Sequence, residues 1–188
     1  MKKYVKYIVV AVVAVVVLAL ITVPTYNGFV EQREIVSETR SEVSNQLQRR
    51  ADLIPNFVET VKGYSDYEKE TLTAVTEARS AIQKADTVAE EQAASQQLDK
   101  AVSIWVNAVT EAYPDIKADK QYIGLQDELA GTENRIAVAR RDYNKAAKEY
   151  NVATGKFPGS LIAGIFGFEK ADYFENADGT NEVPKVEF

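Results

Sequence analysis

The chain has 188 residues, 22 basic and 28 acidic, with no cysteine and no histidine. Those two absences exclude a thiol nucleophile, a disulfide, a Cys/His zinc site, a Ser-His-Asp triad and the Glu-x-x-His motif of di-iron bundles. A formal charge of −6 disfavours nucleic acid as a partner, because that affinity comes from neutralising phosphates.

Residues 7–23 are an apolar run led by Lys2, Lys3 and Lys6, and from residue 8 onward Thr22 has its one polar side chain. A helix over this run is about 25 Å long, and starting at Tyr4 with Lys6 snorkelling brings it to about 30 Å, the thickness of a hydrocarbon core. Tyr4 and Tyr7 fall where one interfacial aromatic belt belongs, and Tyr26 where the other does. A cleaved signal peptide needs a small-x-small site, and residues 18–23, Leu-Ala-Leu-Ile-Thr-Val, offer none. The expectation is an uncleaved single-pass anchor that meets the lipid bilayer through residues 7–23. Three basic residues precede it and two, Arg33 and Arg40, follow closely, which by the positive-inside rule puts the N-terminus in the cytoplasm and the remainder outside. About 165 residues remain after the anchor, enough for one sizeable domain. That remainder has 19 basic and 28 acidic residues, a net −9, which also disfavours flat adsorption on anionic lipid.

Pro24 ends or kinks the membrane helix, and a long helical pattern follows from Tyr26. Val30, Val36, Val43 and Leu47 keep one face, with Arg33, Arg40 and Arg50 on the same stripe. A reversal is expected near residues 51–53, with Asp52 capping a second helix and Pro55 in its first turn. A continuous helix kinked at Pro55 is the rival reading. The second seam runs Ile54, Phe57/Val58, Val61, Tyr64, Leu72, Val75 and Ile82. Asp86-Thr87 is the next break, with either residue as cap. The third helix carries Leu98, Ala101/Val102, Trp105, Ala108/Val109 and Ala112 and ends at Tyr113-Pro114, while its polar, Ala-rich start over residues 89–97 is expected to pack weakly. The fourth begins near Asp119 with the most regular seam: Leu125, Leu129, Thr132, Ile136, Ala139, Tyr143, Ala147 and Tyr150.

Strand-period alternation of useful length is missing. The expected fold is therefore all-α: an N-terminal transmembrane helix followed by an up-and-down bundle of about four long helices. The divisions are 1–25 for flank and anchor, 26–155 for the bundle, and 156–188 for an apolar short-helix segment and tail. The anchor has no glycine and no small-xxx-small pair, so a homo-oligomer, if formed, uses the bundle surface.

Arg40, Arg50, Asp52, Glu68, Arg79, Glu133 and Arg140 lie on or beside the apolar stripes. Three arrangements are open to them: seam margins with heads in water, an interior network of Arg forks on carboxylates, or a ligand site. Asp127/Glu128, residues 66, 68 and 70, and Glu90/Glu91 are adjacent acids, but helical neighbours diverge and make poor acid–base pairs. Ser160 near Lys156 lacks an oxyanion-hole motif. If the helices alternate in direction, Leu161, Ile162, Ile165, Phe166 and Phe168 return beside the bilayer, either to plug the open end of the bundle or to touch the interface.

The stretch Leu-Gln-Arg-Arg-Ala-Asp-Leu-Ile-Pro-Asn-Phe-Val-Glu-Thr-Val-Lys-Gly-Tyr at 47–64 resembles the signature of bacterial LemA proteins. So do Ala78-Arg79, Thr-Glu-Asn-Arg-Ile-Ala-Val-Ala-Arg-Arg-Asp-Tyr-Asn at 132–144, Tyr150-Asn151, Phe157-Pro158 and Tyr26-Asn27. The resemblance covers nearly the whole chain in order, with one departure at Tyr67, where the family often has histidine. It implies a membrane-anchored helical bundle of the bacterial inner membrane, and it supplies no catalytic residues. The expected function is a non-enzymatic scaffold or protein-binding module without cofactor or metal, whose protein partner is unidentified. The alternative is an accessory or regulatory subunit of a membrane enzyme such as a protease or transporter.

Overall fold

The computed structural model of the chain describes residues 2–61 and 68–175. These hold five α-helices: α1 (Lys2–Val61), α2 (Glu68–Lys84), α3 (Val88–Ala112), α4 (Lys120–Gly155) and α5 (Gly159–Phe166), with a 3₁₀ turn at Pro114–Ala118 between α3 and α4. No strand occurs among the described residues. Expectations for Tyr64 and Tyr67, for residues 176–188, and for the side chains of Phe57, Val58, Val61, Glu68, Leu72 and Val75 lie outside what is described.

Local chemistry sets most of the boundaries. Thr87 caps α3: its hydroxyl accepts from the Glu90 N–H at 3.2 Å, while the Glu90 carboxylate accepts from the Thr87 N–H at 3.1 Å, a reciprocal capping box. Pro114, two residues after Ala112, stops α3. The Asp119 carboxylate starts α4 by accepting from the Gln121 and Tyr122 amides at 2.7 and 3.1 Å. Gly167 closes α5 at φ 72°, and the Phe168 amide then donates to the Ala163 carbonyl at 3.0 Å.

Three expectations are corrected. Pro24, expected to end or kink the apolar helix, does not end it: α1 continues through it. The reversal near residues 51–53 does not occur, because α1 also continues through Pro55. Interior proline costs a helix about 3 kcal/mol, but Val43, Leu47, Ala51 and Ile54 form one buried seam across this point, and that burial offsets the local cost. Asp52 therefore caps nothing and instead accepts two bonds from the Gln48 amide at 3.0 and 3.1 Å. The start of α3 is not weakly packed either: Val88, Glu91, Ala94 and Ser95 are all buried.

The chain forms two compact units. One comprises residues 2–41 with 142–171, and the other the described residues of 42–141 with 172–175. In the first unit the apolar run emerges bare, and Phe29 packs with Ile162 and Ala163. The second unit alternates up and down. Asp52 meets Arg79 while Leu47 and Gln48 lie beside Ile82 and Gln83, so α2 runs against α1. Ser44 meets Glu91 and Arg50 meets Asp99, so α3 runs with α1. The short 3₁₀ connection then turns α4 back. Leu98, Val102, Trp105 and Val109 of α3 and Tyr122, Leu129, Thr132, Ile136 and Ala139 of α4 are buried in this core.

Candidate functional site

Arg50 sits on the buried seam of α1, 8% exposed, because the helical repeat that buries Val43, Leu47 and Ile54 carries it inward. Its guanidinium reaches Asp99 of α3 at 2.9 Å and also pairs with Glu133 of α4. One planar cation thus ties three helices, a task suited to the fork geometry of arginine. Arg140 of α4 lies in the same field, facing Asp99 and Glu91, and its guanidinium stands 5.5 Å from the ring centre of buried Phe174. The Glu91 carboxylate accepts from the Ser44 hydroxyl at 2.8 Å.

Burial dominates the electrostatics of this cluster. It lowers the affinity of Arg50 for its proton, with Asp99 opposing and Arg140 adding to the effect. Burial likewise raises the Asp99 carboxyl above the usual range, against the pull of Arg50 and Arg140. Arg140 is lowered by burial and held up by Asp99 and Glu91. The cluster holds charges of both signs in close pairs, which suits joining helices. Among the described residues no three carboxylates converge to hold a metal ion.

The other charged residues named from the sequence are dispersed. Arg79 pairs with Asp52 at 2.6 Å, both about half exposed. Arg40 is half-buried in the first unit, and the Glu68 side chain lies outside the described residues. Sequence reasoning missed Asp99, and named Glu91 only as one of two adjacent acids rather than as a member of this cluster. Counting back from Leu98 by the helical repeat lands on Ala94/Ser95 and then Glu91, and that register was the available signal. A shallow cleft next to Glu91, lined by Ser44, Leu47, Gln48, Ile82 and Gln83, has this glutamate as its one acid, and Ser44 already occupies it.

The first unit carries the second candidate surface. α5 packs so closely on α1 and the end of α4 that a Cβ on Gly159 would stand 2.5 Å from the Ala153 carbonyl oxygen of α4 and 2.9 Å from the Phe29 ring of α1. Ile162 is buried there and Phe168 half-buried, its ring 5.3 Å from Phe29 and 5.4 Å from Tyr26, with the Arg33 guanidinium above it. Leu161 and Ile165 point the other way, 60% and 77% exposed, Phe157 beside them is 82% exposed, and Phe166 is 51% exposed with its ring edge to face on Tyr26 at 5.0 Å. The five apolar residues named from the sequence thus divide: Ile162 and Phe168 seal the packing, Leu161 and Ile165 face outward, and Phe166 does both, half exposed beside Tyr26. Phe157 was the member missed, although it leads the same apolar segment.

With this geometry in hand, comparison with known proteins places the chain among relatives. The model of the LemA family matches residues 39–188. Magnetosome protein MamQ 2 of Paramagnetospirillum magneticum is 29% identical over 175 residues, covering 80% of this chain and 64% of the relative. Magnetosome protein MamQ of Magnetospirillum gryphiswaldense is 26% identical over 174 residues, covering 79% and 64%. Protein LemA of Metamycoplasma hominis is 29% identical over 121 residues, covering 64% and 55%. The chain spans less than two thirds of the length of these relatives.

Proposed function

This chain belongs to the LemA family, and from that premise we propose that it is a single-pass membrane protein serving as a non-enzymatic scaffold that binds other proteins. Its bundle stands outside a bacterial inner membrane and its N-terminus in the cytoplasm. The observation that carries this reading is the continuity of α1. Among the described residues one helix, α1, is long and apolar enough to cross a membrane, and the same helix packs Phe29 against α5 within the first unit. The step from bilayer to folded protein therefore has no linker, which suits a surface presented in a fixed attitude. The second observation is chemical: the buried charges engage one another across helices, as Arg50 does with Asp99 and Glu133. That two relatives are named magnetosome proteins is in keeping with service to a cellular structure.

Cross-linking in intact cells, followed by purification in mild detergent, tests the role. The expected result is a stoichiometric complex with a protein that has no enzymatic activity, or an assembly of this chain alone. A stoichiometric protease or transporter in its place would make this protein an accessory subunit. Topology is read separately with single cysteines, which the chain lacks naturally. Lys148→Cys should react with a membrane-impermeant maleimide in intact spheroplasts and Lys3→Cys should not, and the reverse pattern inverts the orientation.

A further inference from the structure

The outward face of α5 has a definite height. Tyr26 follows the last residue of the apolar run by three positions, a rise of about 4.5 Å along the helix. The Phe166 ring lies 5.0 Å from the Tyr26 ring, edge to face. Leu161, Ile165 and Phe166 are therefore exposed at the level where the membrane helix leaves the hydrocarbon. An interfacial helix buries its apolar face about 5–10 Å into the headgroup and acyl boundary, and this is that depth. No residue of Gly159–Phe166 is charged; Lys156 precedes it and Glu169 and Lys170 follow it. Its inner side is already committed to Phe29 through Ile162 and Ala163. On the outer side Leu161 and Ile165 bury little within the fold, and Phe166 keeps half of its surface exposed beside Tyr26.

We infer that the outward face of α5, formed by Leu161, Ile165 and Phe166 with Phe157 beside it, inserts into the interfacial layer of the bilayer that α1 spans. The inference rests on reading residues 7–23 as the span and adds a second point of lipid contact. Two contacts at one membrane face oppose rotation and tilt of the first unit, which a lone helix leaves free. The occupant is lipid rather than a second copy of this chain because the face is continuous with the bare apolar surface of α1 through Tyr26.

The full-length chain in vesicles of phosphatidylcholine and phosphatidylglycerol tests this. Single cysteines at Leu18, Ile165 and Lys148 carry an environment-sensitive fluorophore. All three side chains are exposed, so labelling disturbs no packed contact. Iodide quenches from the water phase and brominated acyl chains from the lipid phase. The expected result is blue-shifted emission, loss of iodide quenching and gain of bromolipid quenching at both Leu18→Cys and Ile165→Cys, with Lys148→Cys quenched by iodide alone. Lipid quenching at Leu18→Cys with iodide quenching at Ile165→Cys would overturn the second contact and leave the anchor standing. Iodide quenching at Leu18→Cys would overturn the span and the inference with it. Shielding of Ile165→Cys from both quenchers would mean that a protein covers α5, which also overturns lipid as its occupant. Leu161→Cys repeats the reading on the same face, so a single poorly folded variant cannot decide the outcome.

Discussion

Burying the Arg50 guanidinium strips it of water, and the carboxylates of Asp99 and Glu133 return part of that loss. Neither acid is fully enclosed, at 37% and 49% side-chain exposure, so removal of the arginine leaves charges that water reaches in part. Arg50→Ala also opens a gap on the α1 seam, and the two effects together are expected to cost about 2–4 kcal/mol. Arg79→Ala breaks a pair that is half in water and is expected to cost under about 1 kcal/mol. Urea melts of the full chain in detergent compare the two, and an equal or inverted order would show that Arg50 is no more than a surface residue. The Asp99 carboxyl gives this cluster a pH signature. Its folded-state pKa is raised above the unfolded value, first by burial, so its protonated form is favoured by folding. That contribution is absent at neutral pH, appears as pH falls through the raised value, and is complete below the ordinary carboxylate value. The stability of the native chain relative to Asp99→Asn should therefore grow on going from pH 7 to about pH 4. A difference that stays constant or shrinks would mean that Arg50 and Arg140 outweigh burial.

Helix ends and helix contacts carry the next set of energies. Thr87→Ala removes the acceptor of the Glu90 amide and is expected to cost about 1 kcal/mol, with the loss confined to the start of α3. Hydrogen exchange should show faster exchange of the first amides of α3 than in the native chain, and unchanged exchange there would assign no energy to the cap. Gly159→Ala is a harsher change, because its methyl would press on the Ala153 backbone and the Phe29 ring; a cost of roughly 1–3 kcal/mol is expected from overpacking. These elements differ in how plainly the sequence displays them. The cap at Thr87, the stop at Pro114 and the seam of α4 are local signals, each written in a few neighbouring residues. The passage of α1 through Pro55 is not local: proline argues for a break, and only the burial of Ala51 and Ile54 against other helices overrules it. The buried start of α3 escaped for the same kind of reason. Glu91 reads as a solvated polar residue until Ser44 and Arg140 are brought to it from distant positions. At α5 the apolar composition is visible, but which residues turn inward follows from Gly159 meeting Phe29.

At the scale of the whole molecule the apolar run and the residues that pack on α5 belong to one helix, so removing the run has a consequence whose sign follows from what it leaves exposed. A version of the chain beginning at Pro24 keeps Tyr26 and Phe29, and hence the packing of Phe168 and Ile162. It should stay helical. Its outward α5 face would leave Phe157, Leu161, Ile165 and Phe166 together in water. Contiguous apolar patches of this kind drive association at a rate set by the area they hide. The shortened chain is therefore expected to self-associate with rising concentration in sedimentation velocity, while Leu161→Ser with Ile165→Ser, two residues that bury little within the fold, restores a monomer. The net charge of −9 on this part of the chain opposes non-specific aggregation, so association that responds to those two substitutions identifies the α5 face as its cause. Association unchanged by the double substitution would move the sticky surface elsewhere on the bundle. A shortened chain that remains monomeric at all concentrations would mean that four exposed apolar side chains at one end are tolerated without any cover.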